Sequence, residues 1–485
     1  MFAGKKWAAA IGLLVIVSMV LMSCAPAPTP VTVVETVVVK EKVEVPKEVV
    51  KEVVKTVEVP KEVVKEVEVV VTATPEPVPV EDQLTIYHWW TAGGERQAMD
   101  KIFEWFNKKN ATTEIVDNPI AGGGGITLKT VLLGLLAAGI PPDTFQSLSG
   151  AELKQYVDGN YIEPVDDIWQ AEDLDTNYPP VIGKMTTFNG QHYGIPMNAH
   201  RANWLFYSKE VFDELGLTPP TNVDEMIAAA KTIQEKKPDV APIAIGTREK
   251  WPAVFLFDVV LLSTGGPDVY EKFYTGQLDV KTDPDVRAAL EKYQELIPYL
   301  YEFHGAKTWS DIVGPMAEGE MAMMVIGDFA GGLLAQAGYE QGKDWDAVGF
   351  PQDPEEVFLM IVDTFVRPVG VEHPDATTAW LTNLTDPEMQ GEFNVIKGSI
   401  AIHKDVPDDT YPDKLHQEAS AAFKGKRIVP SSIHGVLAPP AFLSDWQDIL
   451  TRFLYSPDVD RALGEIDQSM TLNKVGEAGQ WYWAE

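Results

Sequence analysis

Two adjacent indoles and a nearby carboxylate open the functional reading: Trp89-Trp90-Thr91-Ala92-Gly93-Gly94-Glu95. Flat apolar faces beside an acceptor suit a sugar, which has C–H faces and a rim of hydroxyls. Indole covers the face, and a carboxylate accepts hydrogen bonds from neighbouring hydroxyls. The same pair reads equally well as core, because large aromatics are mostly buried. Further along, Asp363 follows an apolar run over 357–362, which puts a carboxylate at a strand end, where packing alone rarely places one. Asp328 follows the apolar run 321–326; it either faces a cleft or caps a helix starting near Phe329. Trp309 either lines a cleft or packs in a core. Lys397 and His434, taken singly, read as a solvated charge and a structural histidine.

These residues must be held by the elements around them. Residues 84–88 are β-branched and aromatic, so they read as a strand, followed by a Gly-containing loop and a helix over about 95–107. Residues 126–138 read as a helix entered through Gly122-Gly123-Gly124-Gly125. Those glycines lack the Gly-Lys-Ser or Gly-Lys-Thr ending of a phosphate loop, and instead let the backbone bend close to a helix start or a ligand. Helices over 209–215, stopped by Gly216, and 224–235 flank a buried strand at 241–246; Trp251 opens a helix to about 262. Strand and helix alternate throughout, which implies α/β layers with mostly parallel sheets, and in such sheets ligands sit at the carboxyl ends of strands.

The 485 residues include 72 Asp plus Glu against 39 Lys plus Arg, a net charge of −33. So acidic a chain repels phosphates and is a poor partner for nucleic acid. The eight His show no ligand spacing, no calcium loop is evident, and neither metal nor cofactor is expected. Lys5 and Lys6 precede an uncharged apolar run over 7–22 that ends at Ser23-Cys24, the only Cys. This is a secretory signal, and Leu21-Met22-Ser23-Cys24 resembles a lipobox in which Cys24 takes lipid. The alternative is an uncleaved anchor, at the short edge of the roughly 17–25 residues that span a bilayer. From Ala25 to Gln83 the composition turns to Pro, Thr, Val, Lys and Glu, and the stretch 43–53 recurs as 57–67. That period, two heptads, puts Val43, Val50, Val57, Val64 and Val71 on one seam, as in a short coiled coil. Pro46 and Pro60 interrupt it and favour an extended tether.

Together these segments resemble the extracellular solute-binding proteins (family 1) of sugar ABC transporters, most closely the glucose/mannose-type binding lipoproteins. The carrying motifs run from Leu84 to the end: Ile86-Tyr87-His88-Trp89-Trp90, Gly122 to Gly125, Pro141-Pro142-Asp143-Thr144-Phe145-Gln146, Asn198-Ala199-His200-Arg201-Ala202-Asn203-Trp204, Gly327-Asp328-Phe329, Asp363-Thr364-Phe365, Lys397-Gly398-Ser399 and His434-Gly435. The resemblance implies an α/β, two-lobed periplasmic-binding-protein-like (type II) fold with a hinge and a central ligand cleft. Before it would come a signal peptide, 1–23, and the repeat spacer, 24–83. Lobe 1 would be 84–197 and 346–395, and lobe 2 would be 198–345 and 396–485. Trp89 and Trp90 would lie against the ring of a neutral sugar such as glucose, mannose or galactose, with Trp251 as a second wall. Glu95 and Asp363 would accept hydroxyl hydrogen bonds, Gln146 would donate and accept, and Lys397 and His434 would bond further hydroxyls, with Asp328 and Trp309 as further candidates. His200 and Arg201 would be structural residues near the hinge. Leu148 stands where some relatives carry His, and Phe329 where Trp is frequent, so both bear on which sugar fits. The chain would be anchored through Cys24 to the outer face of the membrane and feed an ABC permease.

Two rivals share the aromatic logic. A glycoside hydrolase needs two carboxylates flanking the bond, and Glu95 and Asp363 could be offered. A surface glycan-binding adhesin would use an open groove rather than a closing cleft.

Overall fold

The computed structural model describes Val80 and residues 82–91, 93–433 and 436–477; Cys24, the spacer up to residue 79 and His434 lie outside them. Among the described residues the strands are β1 (Asp82–His88), β2 (Thr113–Pro119), β3 (Thr144–Leu148), β4 (Thr187–Phe188), β5 (Gln191–His192), β6 (Ile195–Arg201), β7 (Trp204–Ser208), β8 (Ala241–Ala244), β9 (Met321–Ile326), β10 (Trp345–Gly349), β11 (Val357–Val366), β12 (Ile400–Ala401) and β13 (Arg427–Pro430). They form a seven-stranded sheet, β12-β6-β11-β3-β1-β2 with β13 also on β11, a four-stranded sheet, β10-β7-β9-β8, and the β4–β5 hairpin. Helices cover the sheets, giving the expected α/β, periplasmic-binding-protein-like architecture.

Local sequence accounts for these elements. In β1, Leu84, Ile86 and His88 are buried and alternate with half-exposed Thr85 and Tyr87, the period-two pattern of a strand with one face on the core. β11 is buried at all ten positions, as a central strand covered on both faces must be. Ser208 caps the helix Lys209–Leu215 by accepting from the Val211 N–H, and Gly216, at φ 64°, ends it in the left-handed conformation. The helix opened by Trp251 breaks at Gly266 (φ 73°, ψ 179°), just past the expected stop at 262, and a second helical run from Pro267 ends at Tyr274.

The sheets are mixed rather than mostly parallel. β1 is parallel to β2 and β3, but β11 runs antiparallel to β3 and β6, and β7 antiparallel to β9 and β10. The cause is the crossing strands: the chain leaves the large sheet along β6 and enters the small one along β7, then returns from β10 into β11. Trp345–Gly349, assigned mostly to lobe 1, pairs with β7 in the small sheet, while β12 and β13, assigned to lobe 2, join the large one.

Arg201 and Asn203 hold the crossings together. Asn203 accepts from the Leu359 N–H and donates to the Val357 carbonyl (3.0 Å each), and Phe350 N–H donates to the Asn203 carbonyl (2.9 Å). The Arg201 guanidinium donates to Glu356 (2.9 Å) and lies over the Trp204 ring at 4.5 Å. The expected structural role of Arg201 is the one it fills.

Candidate ligand-binding site

A cavity of ≈ 180 Å³ opens where the carboxyl ends of β1 and β3 meet β11 and the small-sheet side of the molecule. Trp89, Trp90, Glu95, Trp251, Trp309, Asp363 and Lys397, residues drawn from across the chain, all border it. The two tryptophans of the opening motif differ. Trp90 is fully buried, its ring packed on Phe393 (5.1 Å) and edge-on to Phe365 (6.0 Å), so it is core with one margin on the cavity. Trp89 keeps 7% of its surface exposed. A Cβ on Gly125 would stand 2.5 Å from the Trp89 ring, and Gly125 itself has φ +73°, so two constraints require glycine there.

Asp363 lies within β11, not in a loop after it. Its register against β6 passes from Asn198 directly to Pro196 at the next residue, skipping Met197. This is a bulge, a device that re-aims side chains beside functional sites. Both Asp363 oxygens are engaged: Gln146 Nε2 donates to Oδ1 (3.0 Å) and Asn198 Nδ2 to Oδ2 (2.9 Å). An ionised carboxylate offers about four acceptor sites, so two remain open.

Gln146 corrects the sequence expectation. It does not border the cavity; it is 1% exposed, and both ends of its amide are committed, Oε1 to the Trp89 N–H (3.1 Å) and Nε2 to Asp363. Its place is behind the wall, joining the two. Asp328 is corrected likewise. It is fully buried, makes no side-chain cap, and accepts from the Arg201 N–H (2.8 Å) with Oδ1 2.5 Å from His200 Nδ1. Neither the cavity lining nor a side-chain helix cap includes it; each of its oxygens is bonded to β6.

Lys397, the last residue of the helix Pro387–Lys397, is 2% exposed along its side chain. It donates to Glu95 Oε1 (2.9 Å) and to His200 Nε2 (3.2 Å). With donors at Nε2 and Asp328 at Nδ1, the His200 ring fits the neutral tautomer that carries hydrogen on Nδ1. Burial disfavours the Lys397 ammonium, but the carboxylates of Glu95, Asp363 and Asp328 outweigh it and hold the pKa above its ordinary value.

The cavity contains residues the sequence reading missed. His200, read as structural, borders it. Glu249 also borders it, half-buried, with its carboxyl pKa raised by burial and an N–H of Trp309 donating to it (3.4 Å). Glu249 sits in an Arg-Glu-Lys run that reads as surface; its place two residues before Trp251 was the available signal. Leu148 and Phe329, the two departures from the family pattern, both lie in the wall. Among the described residues no acidic, His or Cys cluster suits a metal.

The model of the bacterial extracellular solute-binding protein family matches residues 91–391. The chain belongs to that family. An uncharacterized ABC transporter extracellular-binding protein of Pyrococcus horikoshii is 40% identical to this solute-binding protein over 413 residues, 84% of this chain and 92% of the relative. A probable sugar-binding periplasmic protein of Mesorhizobium japonicum is 28% identical over 377 residues, 77% and 89% of the two chains. Among solved structures, the bacterial solute receptor AcbH, described as preferring β-D-galactopyranose, superposes with a TM-score of 0.71 at 18% identity, covering 81% of this chain and 99% of that one. That likeness carries the fold. Membership sets the hydrolase reading aside: this solute-binding protein captures a ligand and does not convert it.

Proposed function

We propose that this solute-binding protein is a lipid-anchored receptor that captures a neutral monosaccharide, such as glucose, mannose or galactose, between two closing lobes and delivers it to an ABC permease. The observation that carries this reading is the composition of one small cavity: the indoles of Trp89, Trp251 and Trp309 around Asp363, Glu95 and Lys397. Indole faces suit C–H faces of a pyranose, and fixed acceptors and a donor suit its hydroxyls. Carboxylates outnumber cations around the cavity, which disfavours an anionic ligand. The sugar-binding description of the Mesorhizobium relative supports the same class. The two sheets would carry the lobes, with β6–β7 and β10–β11 as hinge strands. His434 would complete the hydroxyl contacts, and Cys24 would carry the lipid.

A ligand panel read by thermal shift tests this. A ligand that prefers the folded state raises the melting point by mass action, by about 2.7 kcal/mol of stabilisation at a hundredfold excess over Kd. A neutral hexose should raise it, and sugar acids should not. A panel in which sugar acids shift the melting point and neutral hexoses leave it unmoved contradicts the proposal.

A further inference from the structure

His200 lies on β6, the strand that leaves the large sheet, and its ring joins two other elements. Nδ1 meets Asp328 Oδ1 at 2.5 Å, just past β9 of the small sheet. Nε2 meets Lys397 Nζ at 3.2 Å, at the end of a helix whose Asn394 donates to the Met197 carbonyl of β6 (3.3 Å). We propose that Asp328 and His200 are positioning residues for sugar capture: the carboxylate fixes the imidazole tautomer, and the imidazole aims the Lys397 ammonium into the cavity. This rests on the reading of Lys397 as a donor to the sugar.

The proton positions support it. An ionised carboxylate only accepts, so Asp328 requires hydrogen on Nδ1 and leaves a lone pair on Nε2. An ammonium only donates, so that lone pair is what Lys397 needs. Asn198 Nδ2, a second donor, stands 3.3 Å from the same nitrogen and fits the same tautomer. Asp328 is held from turning, because its Oδ2 accepts from the Arg201 N–H (2.8 Å). The ring is held too: His200 is 4% exposed, with Phe329 edge-on at 5.6 Å and 80°. Glu95 takes a second hydrogen of the ammonium (2.9 Å). Of its three hydrogens one remains, and Lys397 borders the cavity. The other tautomer would set an N–H against the ammonium and drive Lys397 off its aim. Asp328 is not part of the cavity lining, so it acts on a ligand only through β6 and its imidazole.

Asp328→Asn in the full chain tests the relay. The amide oxygen still serves the Arg201 N–H, and the amide nitrogen turns a donor to Nδ1, which shifts the ring hydrogen to Nε2. Calorimetry with glucose, mannose and galactose should show an about tenfold weaker Kd for the hexose that the parent binds best. Imidazole ¹⁵N NMR should show His200 changing from the Nδ1–H to the Nε2–H tautomer; its signal among the eight His is the one missing from His200→Gln. In a Lys397→Met background Asp328→Asn should change Kd by less than about twofold, because residues acting through one another are not additive. Should Asp328→Asn not fold, His200→Gln takes its place: it offers Lys397 an acceptor and should bind hexose about fivefold more tightly than His200→Leu. Unchanged affinity or an unchanged tautomer in Asp328→Asn, a full loss in the Lys397→Met background, or equal losses in His200→Gln and His200→Leu overturns the relay alone. A Lys397→Met chain that binds hexose as tightly as the parent, or a parent that binds no hexose, overturns the reading of Lys397 as a sugar contact and the relay with it.

Discussion

Gln146 and Asp363 meet on neighbouring strands, the amide Nε2 donating to Oδ1 at 3.0 Å from 217 positions away in the chain. The same amide accepts from the backbone of Trp89, so one buried side chain ties an aromatic wall to an acceptor.

This division of labour separates two substitutions. Asp363→Ala removes the acceptor and should weaken hexose binding by about a hundredfold or more, as expected where a site is built to hydrogen-bond a hydroxyl. Gln146→Ala removes only the link and should cost about tenfold, roughly one hydrogen bond. Titration of both variants checks this. Equal losses would mean that Gln146 touches the ligand itself.

Lys397→Met leaves Glu95 without its partner and removes a cation near Asp363 and Asp328. Breaking a buried pair costs about 3–5 kcal/mol, but Glu95 is partly solvated, which screens its share, so the expected loss is about 1–3 kcal/mol. Denaturant unfolding measures it. An unchanged midpoint would show that the ammonium stabilises nothing.

Gly125→Val places a side chain at φ +73° and against the Trp89 ring. Both effects destabilise, together by about 2 kcal/mol or more. Fluorescence should also report a displaced Trp89. A variant as stable as the parent, with unchanged hexose affinity, contradicts the close approach.

Asp258 is fully buried among the hydroxyls of Tyr270, Tyr274 and Ser432, and burial pushes its carboxyl up to about 7. The folded pKa stands above the ordinary 3.8. Its contribution to stability is therefore fully present below 3.8 and is lost as pH rises through 7. The melting point of the parent should fall more steeply from about pH 4 to about pH 8 than that of Asp258→Asn, which cannot ionise. Parallel curves would remove Asp258 from the pH dependence.

The α/β architecture and much of the cavity were legible in the chain, because Trp89, Glu95, Trp251, Asp363 and Lys397 are residue types whose chemistry is visible one at a time. What the sequence concealed were partnerships. Gln146 read as a ligand contact, and Asp328 as a cleft residue or a helix cap, because nothing local shows that their polar atoms bond to strands far away in the chain. Asp363 read as the end of a strand rather than its interior, because a bulge against β6 is a property of two strands. The mixed sheets were missed for the same reason: the direction of β6, β7, β10 and β11 follows from crossings between sheets, which periodicity cannot report. Glu249 was hidden in a charged run whose fold turns it inward.

The central claim is that this cavity closes around one neutral sugar ring. Isothermal titration of the full chain with glucose, mannose and galactose tests it most directly. Saturable binding of at least one of them at one site per chain is expected, abolished by Asp363→Ala. Heat from long glycans with none from any hexose would contradict it and return the chain to the open-groove adhesin reading.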